Sequence, residues 1–181
     1  MVTKNRYYFR LIITVIFLTS FVLMPVWVDA GNEEKNTLIH IKTSLKRDDA
    51  QICVAYNVIW AALESGMKVN VLIDADAVNT FKVGWRGKDD IEGYKLPANL
   101  RSRLAEEFGL SLESIPKNYG EYLHLLRDKG ARFYINGEML LVAGISKQFG
   151  DLEKISAKFF KPVTLKEMFT LMTGADYYLV Y

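Results

Sequence analysis

The segment GARFYINGEML, Gly130 to Leu140, reads as the end of a buried strand entering a loop, the place where open α/β sheets gather their ligands. The residue presented there is Asn136, followed by Gly137. An amide donates and accepts hydrogen bonds but is no nucleophile, so this is an active site, a site that has lost its nucleophile, or a turn. Asn-Gly between apolar runs is also the strongest short hairpin signal, and RFYI-NG-EMLLV has that form. Two readings stand side by side: a hairpin turn, or a strand-to-helix turn at the carboxyl edge of a parallel sheet.

The one thiol is Cys53, inside a stretch with helical periodicity and close to its apolar face. A cysteine so placed reads as a small buried hydrophobe, because a reactive thiol needs exposure and electropositive surroundings. His40 falls in an apolar strand and His124 in an amphipathic helix, with no Cys or His spaced as a ligand pair, so no metal site is expected. The paired carboxylates Asp48-Asp49 and Asp74 with Asp76 read as helix starts, where negative charge is favourable. Asp89-Asp90 lies in the longest loop, Phe81 to Pro97, together with Trp85, Arg86 and Lys88. That loop either folds over an anionic or aromatic ligand or is a solvated excursion with Trp85 packed back on the body. No nucleophile elbow, Walker loop, dinucleotide fingerprint or HExxH is present, and no cofactor is expected.

The chain opens with Lys4, Arg6 and Arg10, an uncharged apolar run from Leu11 to Met24, and Val28-Asp29-Ala30. This is the build of an export signal cleaved after Ala30. The alternative is an uncleaved membrane anchor facing outward, since Leu11 to Val28 approaches the roughly 20 residues of a spanning helix. Residues 1–30 are therefore set apart from a domain at 31–181, located in the periplasm or secreted. Cleavage removes three of the 23 Lys and Arg and one of the 21 Asp and Glu, which leaves the mature chain near neutrality. That balance argues against a nucleic-acid partner.

The elements that must position these residues alternate between short apolar runs and amphipathic stretches, the pattern of strand–helix units around a largely parallel sheet. Thr37–Ile41 and Lys68–Ile73 are strands. Between them a helix is capped by Asp48 with Gln51 three residues on, buries Ile52, Ala55, Tyr56 and Ile59, and ends at Gly66. Leu100, Leu104 and Phe108 mark a second helix, and Tyr122, Leu125 and Leu126 a third that stops at Gly130. The strand ARFYI follows. A fourth strand is placed at Ala157–Lys161. Thr164 and Glu167 form a capping box with Val163 stapled to Met168, Gly174 ends that helix, and Tyr177–Tyr181 is a terminal strand.

Over roughly Asn36 to Tyr181 the chain resembles the DsrE/DsrF-like sulfur-relay family. The resemblance rests on TLIHIKTSLKRDDAQICVAYNVIWAALESGMKVNVLID, on GARFYING, on Gly144–Ser146 and on VTLKEMFTLMTGADYYLVY. It implies a three-layer α/β/α domain with a mostly parallel five-stranded sheet, assembled as a trimer or hexamer. It also implies that the persulfide-accepting cysteine of carrying members falls on Asn136. The expected protein is thus a binding or assembly module without its own persulfide chemistry. Asn136 and Gly137, with Thr43, Ser44 and Lys46 from the loop after the first strand, are the expected contacts for a small anionic or nucleotide-like ligand. The alternative is a sulfur carrier that uses Cys53.

Overall fold

The computed structural model describes residues 34–84, 87, 89 and 91–181. The expected export segment and the loop residues Trp85 and Arg86 lie outside the described residues. Five strands form one sheet: β1 (Asn36–Ile41), β2 (Lys68–Ile73), β3 (Arg132–Asn136), β4 (Lys161–Val163) and β5 (Tyr177–Val180), in the order β4-β3-β2-β1-β5. All four pairings are parallel. The central strands carry apolar residues on both faces because both faces are covered, with Thr37, His40 and Asn70 as buried polar exceptions, and β1 and β2 are buried along nearly their whole length.

Alternate residues serve opposite layers, as the two-residue period of a strand requires. Ile39 and Ile41 of β1, Val69, Val71 and Ile73 of β2, and Phe133 and Ile135 of β3 share one core with α1 (Asp49–Glu64), α2 (Ala98–Glu107) and α3 (Tyr119–Asp128). In that layer Trp60 stacks on Phe108 at 4.2 Å between ring centroids, and Tyr56 and Tyr122 meet edge to face at 5.4 Å. Leu38, Leu72 and Val163 face the other way, against Met168 of α5 (Leu165–Thr173). The architecture is the α/β/α sandwich with a five-stranded parallel sheet that the family resemblance implies.

Helix starts follow the chemistry of the sequence. Asp48 accepts a hydrogen bond from the Gln51 N–H at the head of α1, and Thr164 with Glu167 forms the complete reciprocal box at the head of α5. Val163 and Met168 pack together as the staple predicts.

The fourth strand is a correction. It occupies Lys161–Val163, whereas most of Ala157–Lys161 runs as irregular chain just before it. The two phenylalanines there imitate a strand because they are packed, not because they are paired. Phe160 is buried edge to face on Phe81 at 4.8 Å, and Phe159 meets Phe133. The strand that does form contains Pro162, which the sheet tolerates because β4 is an edge. The long loop is stitched to the body: Lys82 bridges Ile155, Lys95 bridges Asn118, and Ile91 and Leu96 are buried.

Candidate functional site

β3 delivers Asn136 to the carboxyl edge of the sheet, and α4 (Gly137–Val142) starts at the next residue. The hairpin alternative is thereby excluded. A type I′ turn needs positive φ at both central residues, whereas Asn136 has φ −65° and its Oδ1 accepts from the Glu138 and Met139 N–H groups at 3.0 and 3.1 Å. With the oxygen fixed as the cap, Nδ2 must point the other way, and it donates to Asp74 Oδ1 at 2.6 Å. Asn136 is 4% exposed. Its amide is thus committed on both sides, and it serves the edge as a strut.

Asp74 is the junction. It follows β2 directly, and its other oxygen accepts from His40 Nε2 at 3.1 Å, while His40 Nδ1 lies 2.7 Å from the Tyr178 hydroxyl. Four residues from four successive segments of the sheet edge form one hydrogen-bonded line: Tyr178 of β5, His40 of β1, Asp74 after β2 and Asn136 of β3. Burial works to raise the Asp74 pKa, but hydrogen bonds from His40, Asn136 and the Ala75 backbone outweigh it and bring the carboxyl down to about 2. Next to it, Ala75 has φ 48°, a left-handed conformation that an alanine adopts only when its surroundings impose it.

The loop after β1 joins this edge through a second carboxylate. Ser44 donates to Asp76 at 2.5 Å, the Leu45 N–H donates to Thr80 at 2.9 Å, and the Ala77 N–H reaches the Lys42 carbonyl. The 3-10 helix Ala75–Phe81 therefore lies between the β1 loop and Asn136. Ser44 and Asn136 are connected through Asp76 and Asp74, which the sequence pattern presented only as helix-start charges. Neither aspartate caps the 3-10 helix with its side chain. Thr43 is half-buried and Lys46 exposed.

Gly137 has a separate reason to be glycine. A Cβ there would fall 2.3 Å from the Phe149 ring, which rests on the first turn of α4. Glu138, beside it, carries a buried oxygen without a hydrogen-bond partner among the described residues. Cys53 sits elsewhere, half-buried on α1, with Asn57 Nδ2 3.9 Å from its sulfur. Burial pushes its thiol up, and hydrogen bonds from Tyr119 and Asn57 offset that only in part.

Sequence reasoning named Asn136, Gly137 and Ser44, which the structure places at this edge, but did not group His40, Asp74 and Tyr178. Their link joins residues 138 apart, through a β1–β5 pairing that no local pattern reveals.

No protein-family model matches the chain, and no curated protein matches it by sequence. Six solved chains do match by structure. One is the crystal structure of the ychN protein from E. coli, at 16% identity and a TM-score of 0.50, covering 82% of this chain and 99% of that one. The likeness is one of fold, and the fold is the DsrE-like α/β/α sandwich.

Proposed function

We propose that the chain is an exported binding or assembly module on the DsrE-like fold that carries no persulfide of its own. One observation carries the reading: the strand end where the resemblance puts an acceptor cysteine holds Asn136, whose amide is occupied by Asp74 and by the head of α4. The thiol that does exist is half-buried and held protonated, which slows attack on a sulfur donor.

Lys46 and Thr43 are the groups that a small anionic or nucleotide-like ligand would meet, with Ser44, Asn136 and Gly137 as the scaffold beneath. Asp74, Asp76 and Glu138 oppose an anion at this edge, so its binding would depend on Lys46. Assembly as a trimer or hexamer has a candidate surface on α5, where Leu165 and Phe169, one turn apart, are both well exposed.

The test is to incubate folded protein with a persulfide donor and map added sulfur by mass spectrometry, with unfolded protein as the positive control. No loading on folded wild type and clear loading of Asn136→Cys is the expected result. Rapid loading of wild type that disappears in Cys53→Ser would instead make the protein a carrier.

A further inference from the structure

Tyr177 and Tyr178 are neighbours on the edge strand β5 and are almost equally exposed, at 47 and 44%. Their side chains leave opposite faces of the sheet. Only Tyr178 has a base behind it. Asp74 is held ionised and can only accept, so the 3.1 Å contact requires the proton on His40 Nε2. With the ring neutral, Nδ1 then carries the lone pair, and the 2.7 Å contact is made with the phenol O–H donating inward. The remaining lone pairs of the phenol oxygen face away from His40. The order of groups is that of a nucleophile, its base and the carboxylate that orients the base, with tyrosine at the head.

We propose that Tyr178 is a nucleophile toward activated acyl esters, with His40 as its base and Asp74 as the positioning residue. The phenol oxygen bonds to the carbonyl carbon as its proton passes to His40 Nδ1, and Asp74 holds the resulting imidazolium. Collapse breaks the bond from that carbon to the leaving oxygen, which takes the proton back from Nδ1. The acyl group remains on Tyr178 as an aryl ester, and no redox change occurs. Burial and the Asp74 charge raise the Tyr178 pKa, so the phenol reacts by giving its proton to His40 as it attacks and not as a standing phenolate. This activity goes beyond the binding reading and does not depend on it, since no thiol takes part.

The experiment treats the full chain with p-nitrophenyl acetate and follows acetylation of each tyrosine by peptide mass spectrometry after acid quench. Tyr177 is the internal control, with the same strand, solvent and reagent. Base assistance is worth on the order of a hundredfold or more, so Tyr178 should acetylate at least about tenfold faster than Tyr177. His40→Gln should bring it down to the Tyr177 rate, and Tyr177→Phe should leave it unchanged. Equal rates in wild type, no acetyl on Tyr178, or an excess that survives His40→Gln would each overturn the proposal. Should His40→Gln not fold, Asp74→Asn serves in its place, with the wild-type ratio of the two tyrosines still decisive.

Discussion

On the face of the sheet covered by α1, α2 and α3, large rings lock by shape: Trp60, Tyr56 and Tyr122 are almost wholly buried and interleave edge to face or stacked. On the opposite face, among the described residues, the nine-residue helix α5 covers Leu38, Leu72 and Val163, and beside this small cluster runs the polar line from Tyr178 to Asn136. The same strands supply both, one residue out of phase. Rings can be packed densely where the cover is thick. Where the cover is thin, buried polar groups persist only by satisfying one another, and the side left open to solvent is where chemistry can be reached.

The contrast can be broken first on the thick side. Trp60→Ala empties the centre of the aromatic cluster and should cost about 3–5 kcal/mol in denaturant unfolding, the largest effect expected of any single change here. A loss near zero would mean that the ring cluster is not what holds that layer.

On the polar side, Asp74→Asn leaves one acceptor oxygen for two donors, so either the His40 Nε2–H or the Asn136 amide N–H loses its partner and meets an NH2 group instead, at a cost of about 2–3 kcal/mol. The sign of the pH dependence follows from the lowered pKa. Stability from Asp74 is fully present above its ordinary 3.8 and is lost as pH falls through about 2. Wild type should shed about 2 kcal/mol across that window, and Asp74→Asn should shed correspondingly less. Identical slopes for the two proteins would remove Asp74 from the account.

Asn136 separates capping from strut. Asn136→Ala should cost about 1–2 kcal/mol, since both the α4 cap and the Asp74 donor disappear. Asn136→Asp keeps the cap but faces Asp74 with a second carboxylate, and it should be at least as damaging at pH 7 and recover towards pH 4. If Asn136→Asp matches wild type, capping alone explains the residue. The smallest effect is expected of Ala75→Gly, which relieves the left-handed backbone beside Asp74 and should stabilise by less than about 1 kcal/mol in thermal unfolding, because glycine's extra unfolded-state freedom offsets much of the gain.

Much of the scaffold was legible in sequence because it is written locally. Lys68–Ile73 is a strand as its β-branched and apolar content implies, and Thr164 with Glu167 is a capping box because the spacing alone dictates it. Ala157–Lys161 misled because burial by aromatic packing leaves the same apolar signature as burial by strand pairing. At the site, the lack of a thiol at Asn136 was plain from residue type. That its amide would be spent on Asp74 was not, because that bond spans 62 residues and depends on β2 lying beside β3. His40 and Asp74 each had an ordinary local reading, and only the sheet order makes them neighbours.

That sheet order also sets a timetable. β1 is made first and its outer neighbour β5 last, so on a ribosome adding roughly 5–20 residues per second, β1 shows an unpaired edge for about ten seconds or more. His40 is buried only once Tyr178 and its strand arrive, so until then the edge is both sticky and polar at its tip. Pairings of such long sequence separation are slow to form. The last strand of the domain is therefore the one whose loss would leave the most nearly finished, and the most aggregation-prone, intermediate.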